Sequence, residues 1–214
     1  MDKGKLNQAA GYYIKNDFDL AATAYQEMLE EYPENPYLMI NFANTQIKQK
    51  NFGKALAFYN RAKLLIPRNP ELNSNIKHTT KILQNFNSQS IFNFLFFNLG
   101  ESLIILLCLN LLFLIFRKSK IKLIKYFSIL LFSVSIVNAA YVSYVSYFKD
   151  YAFVTSTSTS THAGNNSGYP ELFELSDGQV IEILYREEYW SKIKYKNQIS
   201  WLENKKYEFV KKPG

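Results

Sequence analysis

The chain has one cysteine, Cys108, among 214 residues, so no internal disulfide can form. Cys108 lies inside an apolar run and is expected to be a small buried hydrophobe. Histidine is nearly as scarce. His78 and His162 fall in different segments and are not spaced as metal ligands. The H-E-x-x-H, P-loop, G-x-S-x-G and C-x-x-C patterns are absent, and no spacing sets two carboxylates in one apolar pocket. An enzyme needs a nucleophile with its base, a metal cluster or a cofactor loop. The chain is therefore expected to be non-enzymatic, with no catalytic residue, no metal and no cofactor. Residues 1–11, M-D-K-G-K-L-N-Q-A-A-G, also lack the apolar core of a signal peptide.

Charge is unevenly placed. The net charge is +7. Residues 1–90 carry 11 basic and 8 acidic side chains, residues 91–150 carry 6 and 2, and residues 151–214 carry 8 and 8. A nucleic-acid binder concentrates basic charge on one soluble face. This distribution does not, so nucleic acid is excluded as a partner.

Two long apolar runs occupy the middle of the chain. The first ends at Phe116 and holds one charge, Glu101; the second, Tyr126 to Phe148, holds none. A transmembrane helix needs about 20 mostly apolar residues. Spans are expected at about 95–116 and 126–148, joined by a basic turn at 117–125, so that 91–148 forms a transmembrane hairpin in a lipid bilayer. Arg117, Lys118, Lys120, Lys122 and Lys125 would hold that turn in the cytoplasm, because positive charge stays inside. Both flanking segments are then expected in the periplasm, with the chain in the bacterial inner membrane as a multi-pass protein. Export of the first segment needs a signal: either the start lies upstream, or that segment stays with the turn. Export is the expectation here. Ser135, Ala139 and Ser143 share one helix face and are expected at a helix–helix contact.

The first 90 residues repeat themselves. Phe18 matches Phe52, Ala21 matches Ala55, Tyr25 matches Tyr59 and Pro33 matches Pro67, each at an offset of 34. A 34-residue period of small and aromatic residues closed by proline resembles the tetratricopeptide (TPR) family. Asn35-Pro36 and Asn69-Pro70 open helices, since proline suits a first turn. Residues after Pro70 would form a capping helix. Two repeats and a cap are short for a continuous core, which points to help from a partner or from sequence upstream. The resemblance implies a concave groove lined by the first helix of each repeat, with Tyr13, Tyr37, Asn44, Lys48 and His78 pointing into it. Asn44 and Lys48, one turn apart, would hold a peptide backbone or a carboxylate.

The last 60 residues read as strands. A-F-V-T-S-T-S-T-S-T at 152–161 alternates and is expected to be an edge strand. L-F-E-L, the turn S-D-G, then Q-V-I-E-I-L-Y, Y-W-S-K-I-K-Y and Q-I-S-W-L-E follow, with a hairpin tip at Lys196-Asn197. Five short strands suggest a small closed barrel. Their order resembles the bacterial SH3 domain: Trp190 sits at that family's G-W-x-K-V step and Trp201 at its G-W-V step, with Tyr189 and Ser200 in place of the glycines. The resemblance implies binding on an aromatic surface. Tyr185, Trp190 and Trp201 are the candidates, with the alternative that both tryptophans sit in the core.

The expected architecture is thus a multidomain membrane protein. An all-α TPR solenoid fills 1–88, a two-helix transmembrane hairpin 91–148, and an all-β SH3-like barrel 151–212. This order resembles the BatE family of the Bacteroides aerotolerance (Bat) operon. That resemblance implies a non-enzymatic, membrane-anchored scaffold linked to aerotolerance or stress. Its partners would be von Willebrand A-type Bat proteins and a MoxR-type ATPase. The alternative is a cell-envelope protein that binds peptidoglycan through the SH3-like domain.

Overall fold

The computed structural model describes residues 2–83, 104, 107–109, 111–112, 114–115 and 122–210. Met1–Ser88 and Asp150–Gly214 together form one compact unit, and Gln89–Lys149 form another.

Five helices open the first unit: α1 (Lys3–Ile14), α2 (Phe18–Glu31), α3 (Pro36–Lys48), α4 (Phe52–Leu65) and α5 (Pro70–Ile82). The entry helices carry their own caps. Asp2, Asn35 and Asn69 each accept backbone N–H bonds in the first turn of α1, α3 and α5, with proline at the start of α3 and α5. The turns inside the two repeats are copies of one another. Asn16 and Lys50 both take φ of 64°, and the next amides, of Asp17 and Asn51, bond to the carbonyls of Tyr12 and Gln46 at 2.9 Å. The core follows the period. Ala9 and Ala43, Ala21 and Ala55, Tyr25 and Tyr59, and Met28 and Ala62 are all buried.

Seven strands complete this unit: β1 (Asp150–Val154), β2 (Ser158–His162), β3 (Glu171–Ser176), β4 (Val180–Arg186), β5 (Trp190–Tyr195), β6 (Gln198–Glu203) and β7 (Tyr207–Phe209). All pair antiparallel in the order β3-β2-β6-β5-β4-β1-β7. Ala152, Val154, Leu175, Ile181, Ile193 and Leu202 form its core. Ser191 Oγ, Asn204 Oδ1 and the Tyr207 hydroxyl form a bonded cluster, and Asn204 Nδ2 donates to the Glu187 carbonyl. This cluster ties β7 to the β4–β5 turn.

The sheet is open, which corrects the expected closed barrel. Closure requires the end strands to pair, and β3 and β7 do not. The expected edge strand at 152–161 is two strands. The chain breaks after Val154, where the Thr155 amide bonds to the Lys206 carbonyl. β1 lies between β4 and β7, and β2 between β3 and β6, so neither is an edge.

The membrane reading is also corrected. Among the described residues, no helix is long and apolar enough to cross a membrane. Most of the first expected span, and Arg117, Lys118 and Lys120 of the turn, lie outside the described residues. The second run falls in α6 (Lys122–Phe148), a helix of 27 residues. Lys122 and Lys125 belong to the first turn of this helix, not to a loop. The transmembrane hairpin, the bilayer as partner and the multi-pass inner-membrane localisation with periplasmic modules are therefore set aside. Within α6, Ser135 and Ala139 are buried while Val134, Ile136 and Val137 are exposed; the Ser143 side chain lies outside the description.

Candidate functional site

The groove residues occupy the entry helices, but they do not converge on one point. Tyr37 is 64% exposed in the first turn of α3, and Lys48 is exposed at its end. Eleven residues of helix separate them by about 16 Å. Tyr13 is half-buried and packs edge-on against Phe18 at 5.6 Å. Asn44 is committed elsewhere than its expected role. It accepts from the Tyr59 hydroxyl and lies 3.5 Å from Asn75 Nδ2. These three side chains tie α3, α4 and α5 together, and burial pushes the Tyr59 phenol well above its ordinary range. Lys48 and Tyr37 remain available for a partner, as does the exposed His78.

On the sheet, register brings the aromatic candidates to one face. Tyr185 stands opposite Lys192, Lys192 opposite Trp201, and Trp201 opposite His162. The Tyr185 and Trp201 rings meet edge-on at 6.4 Å, and Trp190 meets His162 at 5.3 Å. Neighbours Ser191, Ile193, Ser200 and Leu202 are buried on the opposite face, because successive side chains alternate. Neither tryptophan belongs to the core cluster.

The junction between α4 and the sheet is a third feature. At exposed positions of α2, repeat one has Asp19, Thr23 and Gln26; their counterparts in α4, 34 residues on, are Gly53, Ala57 and Asn60, all buried. Half-buried Ala22 is likewise replaced by buried Leu56. α4 thus has a second buried face, and β1 and β7 pack against this helix. The substitution of four polar or small positions by Gly, Leu, Ala and Asn is the sequence signal for this contact.

Two polar links close the junction. The Asn51 side chain does not cap α4; its amide donates to Gln46 Oε1 at 3.0 Å. Asp177, from the β3–β4 turn, takes over and accepts the Gly53 N–H at 2.9 Å. A carboxylate there also complements the positive end of the helix. At the other end, Arg61 pairs with Glu208 and donates through Nε to the Phe209 carbonyl at 2.9 Å. Its guanidinium lies 4.3 Å from the Phe58 ring centroid. The Val210 amide bonds to the Tyr151 carbonyl of β1, so by alternation the Phe209 carbonyl points away from that strand. Arg61 therefore covers the outer edge of β7. Beside it opens a cleft of about 780 Å³ floored by Leu29, Met39, Phe58 and Phe209.

Burial raises the Asp177 carboxyl above its ordinary 3.8, against the lowering effect of amide bonds from Gly53, Phe52 and Gly178. With the folded value above the unfolded one, the folded state holds the proton more firmly. The contribution of this group to stability is full below the unfolded value and is lost as pH rises through the folded value. Asp177→Asn keeps an acceptor oxygen and removes the charge. It is expected to flatten this part of the stability–pH curve, checked by urea midpoints from about pH 4 to about pH 7.

Residues 12–74 match the tetratricopeptide repeat family. This part of the chain is a TPR array. TPR repeats are protein–protein interaction modules, and the match spans the end of α1 through the start of α5. No curated protein matches the chain.

Proposed function

We propose that the chain is a non-enzymatic adaptor that binds partner proteins through its TPR groove and the outer face of its sheet. The TPR match over residues 12–74 is the observation that carries this reading. Exposed Tyr37 and Lys48 support it, offering an aromatic surface and a cation at the two ends of α3. The order of a TPR array followed by a small β module supports a finer placement among BatE-like scaffolds. There the partners are von Willebrand A-type Bat proteins and a MoxR-type ATPase, and the context is aerotolerance or stress. Crosslinking of the full chain in its native cells, followed by mass spectrometry, tests that placement; recovery of neither partner class overturns it. The double variant Tyr37→Ala/Lys48→Ala is expected to weaken partner binding by about thirtyfold, since an aromatic and a charged anchor each contribute about 1 kcal/mol. Unchanged capture would mean that the groove is idle.

A second reading rests on the row of Tyr185, Trp201 and His162 beside Trp190. Aromatic faces of this kind also suit peptidoglycan. Sedimentation of the full chain with purified cell wall, lost in Trp201→Ala, would favour this alternative.

A further inference from the structure

The sheet has two ends, and they are treated differently. β7 is covered by Arg61 of α4. β3 pairs with β2 and, among the described residues, with no other strand. A free strand edge presents a row of N–H and C=O groups that templates another extended chain. We propose that β3 is a strand-addition site for an extended peptide carrying basic residues at alternate positions. This surface is separate from the TPR groove.

The side chains of β3 choose the occupant. Phe173 and Leu175 turn to the core, while Glu171, Leu172 and Glu174 are exposed, Leu172 at 51%. The Ser160 hydroxyl donates to Glu171 at 2.9 Å, and the Ser158 hydroxyl to Glu174 at 3.1 Å. Ser158 and Ser160 are two residues apart on one face of β2. The register shift between Ser160 and His162 brings both carboxylates to that face. They are thus held on the exposed face of β3 by the neighbouring strand β2, one strand in from the free edge, and among the described residues no basic side chain pairs with either. Basic residues two apart on an added strand share one face and meet this pair. A second copy pairing β3 against β3 would set these glutamates against one another, and like charges across a ladder destabilise it. The edge therefore selects against its own copy and for a basic partner, with Leu172 as the apolar contact between the charges.

The test uses the full chain and two probes: a short peptide alternating lysine with valine, and its counterpart with glutamate for lysine. The lysine peptide is expected to bind saturably and to slow amide exchange across 171–176; the glutamate peptide is expected to do neither. Glu171→Lys/Glu174→Lys should weaken the lysine peptide by about tenfold and admit the glutamate peptide. Leu172→Lys, at an exposed position, should also weaken the lysine peptide. Equal binding of the two peptides overturns the proposal. So does protection of α1, α3 or α5 in place of β3, or dimerisation of the chain through β3.

Discussion

Gly53→Ala is expected to loosen the sheet from α4, although alanine is the better helix former. A Cβ on Gly53 would sit 1.9 Å from the Val154 carbonyl oxygen, 2.4 Å from Asp177 Oδ1 and 2.9 Å from the Gly178 amide. The first and third are backbone atoms, so no side-chain rotation relieves the clash. Forcing a methyl into a packed contact costs about 1–3 kcal/mol. Displacing Asp177 also removes the cap of α4, at about 1 kcal/mol. Against this stands a helix-propensity gain of up to about 1 kcal/mol. The net is a loss of about 2 kcal/mol, or roughly 4–8 °C in melting temperature for a unit of this size. Gly11→Ala is the matched control, because nothing lies within 4 Å of a Cβ there. It is expected to stabilise α1 by up to about 1 kcal/mol. Opposite shifts of the two variants, read by calorimetry, test the contact. Equal shifts would mean that the sheet does not press on α4.

Arg61→Ala is expected to be as damaging at the other end of the junction. The side chain of Arg61 is 14% exposed and that of Glu208 31%. Removing one partner of a largely buried pair leaves an uncompensated charge, at about 3 kcal/mol. The cation over Phe58 and the bond to the Phe209 carbonyl are lost together. Arg61→Met with Glu208→Gln removes both charges and is expected to recover most of the loss, since an apolar replacement of a buried pair is often neutral. The single variant also uncovers the β7 edge, so it should self-associate at concentrations where the parent does not. Urea midpoints and light scattering measure the two effects. An unchanged midpoint in Arg61→Ala would show that the pair is a surface ornament.

Local pattern carried the repeats well. The same 34-residue step that aligns Ala21 with Ala55 and Tyr25 with Tyr59 also aligns their burial, because each repeat solves the same packing problem. The second buried face of α4 was readable only by asking where the repeats differ. Gly53 and Ala57 replace the polar Asp19 and Thr23 of α2, and Leu56 replaces the smaller Ala22; their meaning depends on strands about a hundred residues away. Two repeats and a cap were expected to need help from a partner or from sequence upstream; in the structure α4 packs instead against β1 and β7 of the chain's own sheet. Asn44 shows the opposite failure. Its helix position suits a ligand, yet the Tyr59 hydroxyl from the neighbouring helix claims it.

The sheet divides in the same way. Alternation made Ile181 and Ile193 readable as inward positions, but in β6 it points to Ile199 and Trp201, whereas the structure buries Ser200 and Leu202 on the other face. Alternation could not say whether the ends of the sheet meet, because closure depends on the pairing of distant strands and on the break after Val154. Nor could it decide the side on which Trp190 and Trp201 lie, since a large aromatic suits either face of a strand.

The sequence by itself determined the repeat period, the starts of α3 and α5, and the positions of most strands, because these follow from interactions within a few residues or one repeat. Only the tertiary structure decided that α4 is capped by Asp177, that Arg61 covers one end of an open sheet, and that β3 is left free at the other. The first two rest on contacts between segments separated by more than a hundred residues, the third on the pairing order of the whole sheet, and no local rule reports them.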